Sequence, residues 1–180
     1  ETPEAIRLSV PIIKDIIRAY RIPILEVAGY EADDVIGTLA TKAGQQGITT
    51  YMMTPDKDYG QLVTEHVFMY RPKYGDKEFE VMGIEQVKAK FDIQSPSQVI
   101  DMLGLMGDAS DNIPGCPGVG EKTAQKLIAE FGNIENLLEH TDQLKGALKT
   151  KVETNREMIT FSKFLATIKT DVPIELDMSA

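Results

Sequence analysis

Cysteine, histidine and tryptophan are nearly absent from this sequence. Its 180 residues include one cysteine, two histidines and no tryptophan. A single cysteine excludes a disulfide framework, and so few sulfur and nitrogen ligands argue against a structural zinc site or a Cys-His nucleophile pair. No apolar run reaches the length of a membrane span, and there is no signal-peptide pattern. We therefore expect a cytoplasmic protein with no membrane partner, in which Cys116 is a small apolar residue.

The acidic excess is concentrated upstream of residue 115. The formal net charge is −9, with 42% hydrophobic and 26% charged residues, which is ordinary for a globular protein. Residues 1–114 carry 11 basic and 18 acidic side chains, whereas residues 115–170 carry 8 basic and 7 acidic ones. Bound divalent cations would cancel part of this excess. The net charge therefore does not exclude a nucleic-acid partner.

The stretch GDASDNIPGCPGVGEKTAQKLI, residues 107–128, places two kinds of phosphate chemistry side by side. Asp108 and Asp111 offer carboxylates to hard cations, and GVGEKTA then opens a helix. Glycines let the backbone approach a phosphate, and a helix N-terminus presents unpaired N–H groups to it. The pattern also fits a helix-hairpin-helix whose turn is Gly118-Val119-Gly120, although such short turns are common. Its second helix would bury Ala124, Leu127 and Ile128.

Strands alternate with helices in the first part of the chain, and only helices follow. Helices are predicted over 3–20, 31–46, 83–91, 95–106, 121–131, 133–138 and 146–168, and strands over 22–27, 48–54, 67–71 and 79–82. This order indicates an α/β core over 1–107, with a mostly parallel sheet flanked by helices, and a helical subdomain over 108–180.

Several details accompany these elements. Thr2 would cap the first helix, whose apolar stripe is Ile6, Val10, Ile13, Ile16 and Ile17. Met52 and Met53 are predicted to be core, and residues 73–78 to form a hairpin turn. The basic residues of the last helix form either a solvated face or a track for the DNA backbone: Lys149, Lys151, Arg156 and Lys163.

Three short acidic motifs each follow an apolar element or open a helix. Together they supply seven carboxylates: Glu31, Asp33, Asp34, Asp56, Asp58, Asp108 and Asp111. Acids in a first helical turn can simply complement the helix dipole, and Asp56 can simply cap a short helix through Leu62. If the motifs converge, their charges repel unless protons or cations neutralise them. Oxygen ligands select Mg²⁺ or Mn²⁺, and a pair of such ions can activate water against a phosphodiester.

The motifs GYEADDVIGTLA, TPDKDYGQLV, GLMGDASDNIPGCPGVGEKTAQKLI and ATIKTDVPI resemble the 5′-nuclease domain of bacterial DNA polymerase I, a relative of the flap endonucleases. The resemblance covers nearly the whole chain and implies a PIN-like core. It also implies 5′-3′ exonuclease and 5′-flap endonuclease activity in primer removal and DNA repair. The implied substrate is duplex DNA with a 5′ flap or a single-stranded 5′ end. Polymerase domains of the same parent chain would be partners, at the bacterial nucleoid.

The resemblance also implies residue roles. Glu31, Asp33 and Asp34 would serve mainly one Mg²⁺ or Mn²⁺ ion, and Asp56, Asp58, Asp108 and Asp111 the other. Backbone N–H groups of the hairpin and side chains at its end would hold the phosphates of duplex DNA, and a K⁺ ion is expected at the hairpin. The residues concerned are Gly118, Val119, Gly120, Lys122 and Thr123.

One departure from the family pattern affects activity. Family members begin with a strand bearing a metal-binding Asp, followed by a second Asp and a basic arch, all before the helix predicted here at 3–20. The present sequence has none of these, so we expect it to cleave DNA poorly or not at all by itself. The alternative is a non-catalytic, structure-specific DNA-binding module that would tolerate Asp56→Ala. A nuclease that cuts RNA is a third hypothesis, which the DNA-type hairpin disfavours.

Overall fold

The computed structural model describes residues 3–72 and 79–178. Its first part contains α1 (Glu4–Ala19), α2 (Ala32–Gln45), β1 (Thr50–Met53), β2 (Val67–Pro72), β3 (Phe79–Met82) and α3 (Ile84–Phe91). Its second part contains α4 (Val99–Met106), α5 (Glu121–Phe131), α6 (Ile134–Glu139), α7 (Gly146–Thr154) and α8 (Arg156–Ala166). Short 3₁₀ helices lie at Lys57–Leu62, Pro96–Gln98 and Thr141–Gln143. Among these helices, none is both long and apolar enough to cross a lipid bilayer.

The described strands form one three-stranded sheet in the order β1-β2-β3. β1 runs parallel to β2, with Thr50 opposite Val67, as expected for a strand that follows a crossover helix. β3 is antiparallel to β2, with Met69 opposite Met82. The predicted α/β core followed by helices is therefore confirmed, with one parallel and one antiparallel pair in the described sheet.

Strand alternation corrects one prediction about the core. Met52 is 3% exposed, as predicted, but its neighbour Met53 is 73% exposed. Successive side chains of a strand point to opposite faces of the sheet, so both methionines of β1 cannot enter the same core.

The second part of the chain is organised around α4, whose sequence VIDMLGLM is apolar on nearly all sides. Such a helix is stable only where neighbours surround it, and α5 and α8 pack against it. Val99, Met102, Leu103 and Leu105 of α4 are fully buried. On α5 the predicted buried face is confirmed, because Ala124, Leu127 and Ile128 are 0–2% exposed.

The helix predicted over 146–168 is broken at Asn155 into α7 and α8. The Asn155 side-chain amide donates a 2.8 Å hydrogen bond to the Lys151 carbonyl oxygen, one turn earlier. Such a local bond offers the backbone an alternative to the continuing helix. Lys163 also differs from prediction, since its ammonium lies 2.6 Å from the buried Asp101 carboxylate and 2.7 Å from Glu135. It therefore belongs neither to a solvated face nor to a DNA track.

The strand predicted in the N-terminal region does not form. Residues 22–27 belong to no helix or strand of the described structure, and Pro23 disfavours a strand there because proline has no N–H to donate to a sheet. Helix α1 forms as predicted, and four residues of its apolar stripe are exposed: Ile6, Val10, Ile13 and Ile16 are 41–53% exposed. The predicted cap Thr2 and the turn at 73–78 lie outside the described residues.

Candidate metal centre

An acidic cavity of about 430 Å³ lies where α2, the loop after β1 and the segment after α8 meet. Residues 110–113 and 165–168 complete its wall. All three acidic motifs reach the cavity, which is the convergence that their positions at element ends allowed. The carboxylates that line it are Glu31, Asp33, Asp34, Asp56, Asp58 and Asp111. The seventh, Asp108, lies beside Asp58 and Asp111.

Asp58, Asp108 and Asp111 form the tightest group, in which one carboxylate oxygen from each lies within 4.8 Å of the others. Asp58 and Asp108 are 9% and 7% exposed. Oδ1 of Asp58 is buried and has no hydrogen-bond partner within residues 3–72 and 79–178. A buried carboxylate oxygen without a donor is costly unless a cation neutralises it. The group therefore fits a hard divalent cation, for which carboxylate oxygens are the usual ligands.

The environment of Asp58 favours its protonated form when no metal is bound. Burial and the nearby charge of Asp56, opposed by Lys57, raise the pKa of Asp58 to about 7. Desolvation disfavours the charged carboxylate, and neighbouring carboxylates add repulsion. Asp58 must therefore lose a proton to act as a metal ligand near neutral pH.

A tight loop places Asp108 and Asp111. The backbones of Asp108 and Ile113 exchange two hydrogen bonds of 2.8 and 2.9 Å. Gly107 and Gly115 flank this bridge with φ of +73° and +64°, and a Cβ atom added to Gly115 would lie 2.3 Å from the Gly107 nitrogen. Only glycine fits where two backbones approach so closely in this conformation. The loop geometry therefore fixes where both carboxylates lie.

The loop after β1 places Asp56 and Asp58. Asp56 caps the 3₁₀ helix Lys57–Leu62, because its Oδ1 accepts a 3.0 Å hydrogen bond from the Asp58 N–H. Asp56 therefore both caps this 3₁₀ helix and lines the acidic cavity.

Lys57, between the two aspartates, is a residue that sequence analysis missed. Its ammonium contacts Oδ2 of Asp108. Burial lowers the pKa of Lys57, but the hydrogen bond and charge of Asp108, with Asp58 and Asp56, outweigh burial and raise it. For Asp108, burial alone would raise the pKa. Hydrogen bonds from Lys57 and Ser110 outweigh burial and hold the pKa of Asp108 below its ordinary value. The signal available in the sequence was the position of this lysine between Asp56 and Asp58.

Hydrogen bonds hold the segment after α8 against α2 and against the 3₁₀ helix Lys57–Leu62, beside the acidic cavity. The Lys169 N–H donates to Asp34 Oδ1 (2.9 Å), and the Val172 N–H donates to the Thr38 hydroxyl (3.1 Å). Gln61 accepts from the Ile168 N–H and donates to the Ala166 carbonyl, both at 2.9 Å. These bonds join residues more than 100 positions apart, so no local sequence signal could have predicted them.

Asp34 has a structural role within α2 as well. Its Oδ2 accepts a 3.4 Å hydrogen bond from the Glu31 N–H, which completes a capping box at the start of the helix. Acids in the first turn of α2 therefore both complement the helix terminus and line the acidic cavity.

The predicted hairpin lies immediately before α5. Gly120 is the N-cap of α5, Lys122 is exposed, and Val119 is buried. The Val119 N–H donates to the Cys116 carbonyl (2.9 Å), and the Thr123 N–H donates to the Gly120 carbonyl (3.0 Å). Those two N–H groups therefore already have acceptors. Cys116 is buried, as expected of a small apolar residue.

The fold is that of the 5′-exonucleases and flap endonucleases. A structure of T5 5′-exonuclease with bound zinc superimposes with a TM-score of 0.78 at 22% identity, covering 94% of this chain and 64% of that one. The catalytic core of Rad2 in complex with DNA substrate superimposes with a TM-score of 0.62 at 16% identity, covering 98% and 57%.

The chain belongs to the 5′-3′ exonuclease family. The family model "5′-3′ exonuclease, N-terminal resolvase-like domain" matches residues 1–92, and "5′-3′ exonuclease, C-terminal SAM fold" matches residues 94–180. The family predicted from the sequence motifs is confirmed.

Among curated relatives, DNA polymerase I of Bacillus caldotenax is 45% identical over 179 residues, which are 99% of this chain and 20% of that protein. DNA polymerase I of Bacillus subtilis (strain 168) is 45% identical over 180 residues, with the same coverage. The thermostable DNA polymerase I of Thermus thermophilus is 39% identical over 176 residues, 98% of this chain and 20% of that protein. The chain thus spans about a fifth of the length of these relatives.

Proposed function

We propose that this chain is the nuclease part of a DNA polymerase I, and that it hydrolyses DNA phosphodiesters as a 5′-3′ exonuclease and 5′-flap endonuclease. The observation that carries the proposal is the Asp58–Asp108–Asp111 group, in which a buried oxygen of Asp58 has no partner in the described part of the chain. Three carboxylates so close together repel one another unless a cation or a proton neutralises them, and family membership supplies the reaction class.

Mg²⁺ or Mn²⁺ is the proposed cofactor. One ion would be held by Asp58, Asp108 and Asp111, with Asp56 at the same cavity, and a second by Glu31, Asp33 and Asp34 on α2. When bound, a pair of such ions activates water and stabilises the leaving oxygen of the phosphodiester. The chain's own contribution is positional: the glycine loop fixes Asp108 and Asp111, and the 3₁₀ helix fixes Asp58.

Duplex DNA is the proposed substrate, with a 5′ flap or a single-stranded 5′ end. The exposed Lys122 and the backbone of Gly118 and Gly120, at the start of α5, are suited to phosphate contacts. A K⁺ ion at the hairpin belongs to the same proposal. Crystal structures of T5 flap endonuclease with DNA and metal ions, and of Rad2 with DNA, support this class of substrate.

The partners and the cellular location follow from the relatives. Because those relatives are DNA polymerases about five times longer than this chain, polymerase domains of the same parent chain are the proposed partners. The proposed location is the bacterial cytoplasm, at the nucleoid.

The test is cleavage of a 5′-labelled flap DNA in Mg²⁺ or Mn²⁺, with EDTA as the control. The chain is assayed by itself and joined to the strand and arch segment that the family resemblance implies upstream. We expect metal-dependent cleavage in the joined chain and weak cleavage by the chain alone. Duplex binding without cleavage in either form would contradict the proposal.

That contrary result would favour a non-catalytic DNA-binding module. One observation supports this alternative. Asp34 and Asp56 already serve as helix-capping groups, so these two carboxylates have a structural use besides lining the acidic cavity. In a binding module, Asp56→Ala would leave DNA affinity nearly unchanged and there would be no cleavage to lose.

A further inference from the structure

We propose that Lys57 is an internal counter-ion of the metal-free site and that an incoming divalent cation displaces its ammonium from Asp108. The inference rests on the proposed function, since it concerns how the Asp58–Asp108–Asp111 group passes from the metal-free to the metal-bound state. It makes Lys57 a determinant of metal affinity.

Both oxygens of Asp108 are engaged in the structure. Oδ1 accepts a 2.8 Å hydrogen bond from the Ser110 N–H, and Oδ2 accepts from the Lys57 ammonium. The Ser110 bond belongs to the tight loop that positions Asp108, so the backbone would have to move to release it. The Lys57 bond comes from a flexible side chain. A cation that binds Asp108 therefore reaches Oδ2 most readily by replacing the ammonium.

The charges favour this exchange. The Lys57 ammonium pairs with Asp108, and among the described residues it leaves Oδ1 of Asp58 without a hydrogen-bond partner. A divalent ion between the carboxylates would neutralise more of their charge, and at close range it would repel the lysine. The two cations therefore compete for Asp108.

The position of Lys57 gives the displaced side chain a route outward. Its side chain is 36% exposed, whereas that of Asp108 is 4% exposed, so the lysine approaches the group from the solvent side. A four-carbon stem lets the ammonium move into water without any change in the backbone.

A merely structural ion pair predicts the opposite effect on metal binding. If Lys57 only held Asp108 in place, its removal would let the carboxylate move and would weaken metal binding. If Lys57 competes with the metal, its removal destabilises the metal-free chain and strengthens metal binding. The sign of the change in affinity therefore separates the two roles.

The test compares Lys57→Met with Lys57→Arg, which keeps the charge, and with Lys88→Met. Lys88 pairs with Glu85 on the surface of α3, so this variant removes the same charge away from the cavity. Calorimetric titration with Mn²⁺ measures affinity, and thermal unfolding in EDTA measures the stability of the metal-free chain. We expect Lys57→Met to unfold at a lower temperature and to bind Mn²⁺ about three- to tenfold more tightly. Lys57→Arg and Lys88→Met should stay near the unsubstituted chain.

Unchanged or weaker Mn²⁺ binding by Lys57→Met would overturn the inference, provided that the unsubstituted chain binds Mn²⁺ and Asp108→Asn loses it. In that case the proposed function would stand. If the unsubstituted chain binds no Mn²⁺ at all, the proposed metal centre is wrong, and the displacement fails with it.

Discussion

Oδ1 of Asp34, near the start of α2, accepts a 2.9 Å hydrogen bond from the backbone N–H of Lys169, 135 residues further along the chain. The bond joins the part of the chain that carries the sheet to the segment that follows the last helix. Because Asp34 and residues 165–168 both line the acidic cavity, this bond joins two sides of the candidate site.

Asp34→Ala should destabilise the metal-free chain. It removes the capping box at Glu31 and the anchor of Lys169, and the loss of a cap and of a solvent-exposed hydrogen bond to a charged group costs about 1–2 kcal/mol. Thermal or urea unfolding in EDTA measures the loss. Asp33→Ala is the matched control, because Asp33 lines the same cavity and, among the described residues, makes no hydrogen bond to Lys169. Equal effects of the two substitutions would contradict the anchoring role.

Gly115→Ala should disrupt the loop that carries Asp108 and Asp111. The added methyl would lie 2.3 Å from the Gly107 nitrogen, so the backbone must move, at a cost of about 2 kcal/mol or more. We expect both a lower unfolding temperature and weaker Mn²⁺ binding. Gly132→Ala is the control, since Gly132 has φ of +82° but nothing within 4 Å of the added atom. A Gly115 variant that behaves like the Gly132 variant would show that the close approach is unimportant.

Lys163→Met should destabilise the helical part of the chain. It leaves the carboxylate of Asp101, which is 4% exposed, without its cationic partner, and breaking a buried ion pair from one side costs about 3 kcal/mol. Adding Asp101→Asn to Lys163→Met should recover part of the loss, because the uncompensated charge is then gone. Urea unfolding of the single and double variants checks this expectation. Lys149→Met, which breaks a 3.8 Å surface pair with Glu153, should cost under about 0.5 kcal/mol.

Asp58 should make the metal-free chain more stable at lower pH. The folded-state pKa of Asp58 is about 7, above its ordinary value of 3.8. The contribution of Asp58 to stability is therefore fully present below pH 3.8 and is lost as the pH rises to about 7. In EDTA, Asp58→Asn should be more stable than the unsubstituted chain at pH 8, by about 1 kcal/mol or more, and the advantage should shrink by pH 5.5.

Thermal unfolding of both proteins at pH 5.5 and pH 8 measures this difference. Mn²⁺ binding by the unsubstituted chain should also weaken below pH 7, because a proton then occupies the ligand. A stability advantage of Asp58→Asn that does not change with pH would show that Asp58 titrates normally.

Periodicity in the sequence predicted the buried helical faces and the order of elements, because these depend on local spacing. The face of Ala124, Leu127 and Ile128 is an example. Local rules failed where one side chain interrupts a pattern, as at Asn155 between α7 and α8. They failed again for Met53, because both methionines of β1 were assigned to one face.

Each of the three acidic motifs stands at the end of an element, so the sequence allowed them to meet at one edge of the sheet. Their partners could not be predicted. The contact of Lys57 with Asp108 joins residues 51 positions apart, and the Asp34–Lys169 bond joins residues 135 apart. Such contacts depend on how two distant parts of the chain pack together. A single sequence does not give the distance between those parts.

The most direct test of the metal-dependent nuclease is Asp108→Asn in the flap-cleavage assay, in the chain joined to the strand and arch segment that the family resemblance implies. Asparagine keeps the shape of the side chain but removes the charge that a cation requires, so cleavage in Mg²⁺ should fall by about 100-fold or more. Binding of the flap duplex in EDTA should stay unchanged, because the hairpin is untouched. Cleavage by Asp108→Asn at the rate of the unsubstituted protein would contradict the assignment of this carboxylate group to the reaction.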